Sequence, residues 1–321
     1  MPFSVQRYTG PGRVFLLACV LLACLLAGAP VVAAAPANIA VVLSDESAPY
    51  QDTANSIRAV LETGAPKALL TVYSPAGRKA DFTREHPDLI VAVGVRAAQE
   101  MAAQNLSIPV LATLIPHQAF EKIARQRDPR LFSAVFLDQP LVRQMELIRQ
   151  ALPDRARIGV LLGPDSQDSL KLLQAAAKEA KFSLAAEKIS AAEELLPALQ
   201  RVLADCDVLL AVPDPLVFNK STVQSLLLTT YRYQDPVVGF SLAYVKAGAL
   251  AAVYSVPEQV GKQAGEVIQR MLAAKSWQLP VPEYPKYFSV SVNYQVARSL
   301  SLNVADETAL FHKLKRAGDA E

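Results

Sequence analysis

The chain has 321 residues, 52% hydrophobic and 19% charged, with a net charge of +2. That length suits two domains of ordinary size, and that composition excludes a disordered chain. Arg7 and Arg13 both lie in an acid-free leader, so the remainder is neutral and offers no electrostatic case for nucleic acid or anionic membranes.

The leader comes first in the chain. Residues 1–13 are basic, 14–26 are continuously apolar and 33–37 are rich in small side chains. This is the architecture of a secretory signal peptide over residues 1–37, and it predicts a periplasmic or secreted protein. Val32-Ala33-Ala34 and Ala35-Pro36-Ala37 both fit a cleavage site. Two Leu-Leu-Ala-Cys strings, ending at Cys19 and Cys24, resemble a lipoprotein acylation box, which is the alternative of lipid anchoring. Apolar sequence continues past both cysteines, which weighs towards soluble secretion. After cleavage Cys206 is left without a partner for an internal disulfide, and it reads as a small buried residue beside a strand.

Beyond the leader, strand-like and helix-like segments alternate. Strands are predicted at 39–43, 69–73, 89–93, 110–114, 134–137, 158–162, 183–188, 208–212, 237–240, 249–254 and 287–292. Helices are predicted at 54–62, 95–104, 120–125, 141–152, 167–180, 192–203, 216–233 and 257–272. Strands apolar on both faces, alternating with helices, mean parallel sheets covered by helices: an α/β chain. At 248–272 a short apolar run breaks at Ser255-Val256-Pro257 and continues as an amphipathic helix. Pro257 fits the first helical turn, where its missing N–H costs nothing, and the segment reads as a crossing between lobes.

The chain also repeats itself. Ile39-Ala-Val-Val-Leu-Ser-Asp-Glu-Ser47 matches Ile158-Gly-Val-Leu-Leu-Gly-Pro-Asp-Ser166, 119 residues later. Asp88-Leu-Ile-Val-Ala-Val-Gly94 matches Asp207-Val-Leu-Leu-Ala-Val-Pro213 at the same offset, and Pro109 and Pro236 open a third pair 127 residues apart. Two lobes on one plan follow. The division expected is 38–136 plus 256–280 for lobe one and 138–255 plus 286–302 for lobe two, with 303–321 a charged C-terminal tail.

Ligands of open parallel sheets lie beyond the carboxyl ends of the strands. In lobe one those ends carry Ser44, Asp45, Gly94, Val95, Arg96 and Ile115, with Tyr50 nearby; in lobe two they carry Asp165, Ser166, Asp214, Phe240 and Ser241. Helix starts at several of these positions leave backbone N–H groups for an anion such as a carboxylate. Asp45, Asp165 or Asp214 can hold an ammonium group, and Tyr50 or Phe240 can pack on an apolar body. The arrangement is a small-molecule clamp with a hinge.

Five segments resemble a known family: DLIVAVGVRAAQEMA (88–102), LIRQALPDRARIGVLLGPDS (147–166), DVLLAVPDPLV (207–217), PVVGFSLAYVKAGALAAVYSVPEQVGKQAGEVIQRMLAAK (236–275) and VNYQVARSLSL (292–302). In order and spacing they resemble the substrate-binding proteins of ABC transporters with the type I periplasmic-binding fold, in the branch of tryptophan-binding lipoproteins. The resemblance implies two Rossmann-like parallel-sheet lobes closing on a small solute, an amino acid or related carboxylate, for a permease on separate chains. It implies that Asp214 stands where the family has an acid after the lobe-two strand, and that Gly94 turns the chain before a carboxylate-receiving helix. Where the family has a small hydroxyl residue after that glycine, this chain has Val95-Arg96, and Arg96 can make a bidentate carboxylate contact. The junction 133–139 lacks the family's Thr-Gly.

Other chemistries find little footing. Gly239-Phe240-Ser241-Leu242-Ala243 nearly spells a nucleophile elbow but ends in Ala, and His312 is the one later histidine. Ser241 therefore reads as a ligand contact or helix cap. Scattered His86, His117 and His312 give no metal-ligand spacing, and no phosphate-binding glycine motif occurs. Gly261 and Gly265 read as a close helix contact, and Trp277 as part of a packed crossover. The expectation is a monomeric binding protein, not an enzyme, without cofactor, metal or nucleic acid. The competing class is a periplasmic sensing subunit for a membrane receptor kinase.

Overall fold

A computed structural model describes residues 36–318, apart from 65, 78–80 and 105, together with Phe3. The signal-peptide reading, with Cys19 and Cys24, lies outside the described residues. Residues from Ala37 onward form one compact unit.

Lobe one runs β1 (Ala37–Leu43), α1 (Ala48–Thr63), β2 (Ala68–Tyr73), α2 (Phe82–Glu85) and β3 (Leu89–Val93). It continues through α3 (Val95–Ala103), β4 (Val110–Ile115), α4 (His117–Ala124) and β5 (Phe132–Phe136). Its five strands are parallel in the order β2-β1-β3-β4-β5. Every residue of β3, β4 and β5 is buried, as a parallel sheet covered on both faces requires.

Lobe two runs α5 (Leu141–Ala151), β6 (Arg157–Leu162), α6 (Leu170–Glu179), β7 (Ser183–Lys188), α7 (Leu195–Ala204) and β8 (Val208–Leu210). Then follow α8 (Val223–Arg232), β9 (Val237–Gly239), α9 (Leu242–Ala247) and β10 (Ala251–Tyr254). Helix α10 (Pro257–Ala273) leaves this lobe to pack along α1, and β11 (Ser289–Val292) returns antiparallel to β10. The chain closes with α11 (Tyr294–Ser299) and α12 (Glu307–Gly318). The second sheet has the order β11-β10-β9-β8-β6-β7.

The internal repeat is a repeat of structure. Ile39 pairs with Leu89, and Ile158 with Val208, in equivalent parallel registers. Asp88 and Asp207 lock the two sheets alike: their carboxylates accept the N–H groups of Asn38 at 2.8 Å and Arg157 at 3.1 Å. Side-chain hydrogen bonds from Arg157 hold the Asp207 carboxyl below the usual range.

The α1–α10 contact explains the paired glycines. A Cβ on Gly261 would lie 2.4 Å from the Thr53 carbonyl oxygen, and one on Gly265 would lie 2.8 Å from Val60 Cβ. Pro257 occupies the first turn of α10, as its fixed φ favours, and the Gln259 side chain accepts the Val256 N–H at 3.0 Å. Three crossings join the lobes, and one chain of hydrogen bonds ties them. Gln139 Nε2 donates to Ser255 Oγ at 2.8 Å, and Ser255 Oγ donates to the Tyr287 carbonyl at 2.6 Å. Between the last two crossings, the backbone at Glu283 pairs with β5 through bonds to Ala134 and Phe136, and Trp277 packs on the lobe-one core.

Two expectations need correction. The charged tail at 303–321 is, over Glu307–Gly318, a helix whose Leu310 and Leu314 are buried in the lobe-two core. Its polar face hid a stripe of apolar side chains. The single helix expected over 216–233 begins only at Val223. Asn219 Oδ1 accepts the N–H groups of Ser221 and Thr222, so a local side-chain acceptor replaces the first helical turns.

Candidate functional site

The carboxyl ends of β3, β4, β6, β8 and β9 face one another across the gap between the sheets. A cavity of about 450 Å³ opens there. Lobe one lines it with Val95, Gln99, Pro116, Gln118 and Lys122; lobe two with Asp165, Pro213, Asp214, Phe218 and Phe240. A smaller cavity of about 90 Å³, sharing Pro116, Gln118 and Pro213, lies against the junction beside Asp138, Gln144 and Tyr284. A third, of about 320 Å³, lies at the amino end of β9 by Tyr231 and Asp235, away from the facing strand ends.

In lobe one, Gly94 makes the turn from β3 into α3. Its φ of +91° is costly for a side-chain-bearing residue, and a Cβ there would lie 2.5 Å from both Ser44 Oγ and Tyr50 Cε1. Ser44 is buried, and its hydroxyl accepts the Ala97 N–H at 3.0 Å, so it braces the helix start rather than facing solvent. The N–H groups of Val95 and Arg96, at the start of α3, have no partner within the helix. Arg96 is exposed at this corner. Asp45 accepts the Ser47 N–H at 2.8 Å; its hydrogen bonds to Ser47, with Arg96 nearby, hold its carboxyl below the usual range. Burial and the Asp45 charge push the Tyr50 hydroxyl up. Ser44, Asp45, Tyr50, Gly94, Val95 and Arg96 thus form one cluster, of which Val95 lines the cavity.

In lobe two, Asp214 is 3% exposed. Its Oδ2 accepts the N–H of Asp165 at 3.0 Å, the N–H of Ser166 at 2.9 Å and the Ser166 hydroxyl at 2.9 Å; its Oδ1 accepts the Leu216 N–H at 2.9 Å. Four donors already engage this carboxylate, which shapes the β6–α6 loop. Gly163 is required beneath it, because a Cβ there would meet Asp214 Oδ1 at 2.2 Å. Asp165 reaches across the gap to Lys122 of lobe one, Nζ to Oδ1 3.2 Å. Phe240 lines the cavity and packs on Phe218 and Tyr244, with ring centroids 6.0 and 4.6 Å away.

One expected contact, Ile115, is placed elsewhere. Ile115 is 0% exposed, inside the lobe-one core; the register shift between Thr113 and Ile115 accompanies a left-handed Leu114 at φ +53°. Ser241 is the residue before α9 and makes no side-chain cap bond. Asp45, Asp165 and Asp214, each read as able to hold an ammonium group, all have protein partners here. Sequence reasoning passed over Gln99, Gln118, Lys122 and Phe218. Nothing in the periodicity marks which side of α4 faces the second lobe.

The chain matches the family described as ABC transporter substrate binding protein over residues 75–312. It belongs to that family. The tyrosine-binding protein of Clostridioides difficile (strain R20291) is 24% identical over 200 residues, 61% of this chain. The chain spans 57% of that curated relative's length. A ligand-free, open substrate-binding protein with adhesive properties from Clostridium difficile superposes with a TM-score of 0.67 at 19% identity, covering 84% of this chain and 96% of that one. The ABC domain in complex with L-Trp from Streptococcus pneumonia gives 0.60 at 18% identity, covering 87% and 98%. At these identities the likeness is one of fold, that of two-lobed periplasmic binding proteins. Among the described residues no helix is long and apolar enough to cross a membrane.

Proposed function

We propose that this chain is an exported solute-binding protein that captures a small organic ligand, an amino acid or related carboxylate, between its lobes for an ABC importer. The observation that carries the reading is the cavity of about 450 Å³ lined from both lobes at the carboxyl ends of their strands. Lobe one is taken as 38–136 plus 256–280 and lobe two as 138–255 plus 286–302, with the tied crossings at Gln139, Ser255 and Tyr287 as hinge. A ligand carboxylate is received at the start of α3, by the N–H groups of Val95 and Arg96 and by the Arg96 guanidinium. Phe240 and Tyr50 pack on its apolar part, and Asp165 and Ser166 close from lobe two. The work is done by closure, on a monomer, without cofactor or metal; the permease is a separate polypeptide. The tyrosine-binding relative and the L-Trp-bound neighbour support an amino acid as the solute.

The test is a thermal-shift screen of the secreted chain against amino acids, carboxylates, purines and sugars. A ligand at a hundredfold excess over Kd stabilises by about 2.7 kcal/mol. A shift with amino acids or carboxylates that Arg96→Ala removes supports the reading. A shift confined to sugars or purines replaces the ligand class, and no shift with any class overturns solute capture.

A further inference from the structure

The three acids at the strand ends are engaged, by Arg96 and Ser47, by Lys122, and by four donors around Asp214. A fourth acid, at the lobe junction, has a single protein hydrogen bond among the described residues. Asp138 lines the smaller cavity at the lobe junction, and the lining there includes no lysine or arginine. One of its oxygens accepts the His117 N–H at the start of α4; among the described residues no hydrogen bond reaches the other. The ring of His117 stacks on Tyr284 at 5.7 Å and meets Phe136 edge-on at 4.9 Å, so aromatic surface walls the acid. Desolvation pushes the Asp138 carboxyl up to about 6, and burial beside Asp138 and Glu121 pushes the Tyr284 hydroxyl up to about 12. Desolvation is the cause at Asp138 and the larger cause at Tyr284, where the Asp138 and Glu121 charges add to it. Gln144 donates its amide N–H to the Gln139 carbonyl at 3.1 Å, which leaves its own oxygen as a second acceptor.

We propose that this cavity is a cation subsite, in which Asp138, with Gln144 and the faces of His117 and Tyr284, receives the protonated amine of the captured solute. The inference rests on the solute-binding reading and narrows it to amine-bearing ligands. Chemistry favours it: an ammonium supplies charge-assisted hydrogen bonds to a carboxylate that holds a single protein hydrogen bond, and it is attracted to aromatic faces. A carboxylate entering the same space meets uncompensated negative charge. Size agrees as well. About 90 Å³ is roughly three times one water's share of the liquid, room for an amine and its neighbouring carbons. The remainder of the solute passes Gln118 and Pro213, shared by both cavities, into the larger space.

The experiment is titration calorimetry on the secreted chain with paired probes: L-tyrosine and desaminotyrosine, L-tryptophan and indolepropionate, L-norleucine and hexanoate, tyramine and ethylphenol. The expected result is an amine that binds at least about tenfold tighter than its partner lacking that amine. Asp138→Asn, which keeps an acceptor for the His117 N–H, weakens that amine by at least about tenfold and leaves the partner within about twofold. The paired comparison on the unaltered chain needs no variant to fold. Equal binding within a pair overturns the subsite, and so does an Asp138→Asn chain that binds the amine unchanged. If none of the amines binds, the subsite falls; desamino acids that still bind leave solute capture standing, whereas silence from every probe removes that too.

Discussion

The hydroxyl of Ser166 donates to the carboxylate of Asp214 at 2.9 Å, and the Ser166 N–H donates to the same oxygen at the same distance. Two turns that follow different strands are thereby welded at the floor of the cleft. A buried carboxylate with four donors is a structural element first, because removing it orphans every one of them. Asp214→Ala is expected to lower stability by about 2–4 kcal/mol in urea denaturation and to lose solute binding together with it. Retained stability with binding alone abolished would instead make Asp214 a direct ligand group.

Gly94 offers a sharper test of the α3 start. Its positive φ and the 2.5 Å approach to Ser44 and Tyr50 act on the same atom, a Cβ that the chain omits. Gly94→Ala is expected to cost about 2–3 kcal/mol, partly as backbone strain and partly as displaced side chains. Denaturant unfolding reads the cost. Calorimetry with a carboxylate ligand should show weakened binding, since the Val95 and Arg96 N–H groups turn with the strained residue. A variant as stable as the parent would show that the turn relaxes freely.

Asp138 predicts an unusual pH dependence. Its carboxyl stands at about 6 in the folded protein against an ordinary 3.8, raised by burial and only partly offset by the His117 N–H. The folded state therefore holds the proton more tightly than the unfolded one. This contribution to stability is present below about pH 4 and is lost as pH rises towards about 6. Asp138→Asn carries no such loss. Without ligand the variant is expected to match the parent at pH 4 and to exceed it by about 1–2 kcal/mol at pH 7.5, allowing for partial exposure. His117, Glu121 and Tyr284 face this group, so the parent-minus-variant difference, rather than either curve alone, isolates Asp138. A difference that does not change with pH would place the carboxylate in contact with water. Such gains on removing a functional charge are the usual trade between stability and activity.

Much of the scaffold was legible because parallel strands buried on both faces write long apolar runs, and the repeat from Ile39 to Ile158 exposed two lobes on one plan. Strand ends pointed to Val95 and Phe240, which line the cavity, since topology alone decides where those ends meet. Partnerships were not legible. An acid after a strand looks alike whether it is free or, as at Asp214, taken up by a neighbouring loop's N–H groups, which are invisible to a reading by residue type. Lys122 and Asp138 escaped for a related reason: one projects from a helix whose cleft-facing side depends on the second lobe, and the other gains its character from a desolvated junction. The helix Glu307–Gly318 was hidden by its own charge.

Lys122 and Asp165 set the balance between open and closed forms. The pair spans the cleft at 3.2 Å with side chains 42% and 62% exposed, and it exists only when the lobes stand this close. An exposed ion pair contributes about 0–1 kcal/mol, too little to matter for folding. Applied to an equilibrium between two lobe positions, the same energy shifts the ratio up to about fivefold, and apparent solute affinity follows the closed fraction. Lys122→Glu is expected to leave unfolding within about 0.5 kcal/mol, move the lobes apart and weaken solute binding up to about fivefold. Adding Asp165→Lys restores the attraction with its sign reversed and should restore the closed fraction. Single-molecule energy transfer between dyes on the two lobes reads the populations directly. High salt should move the parent towards the variant, since screening at 1 M reaches about 3 Å and acts most on exposed charges. A distance distribution unchanged by Lys122→Glu, at low and at high salt, would mean that closure is governed by the hinge bonds among Gln139, Ser255 and Tyr287 instead.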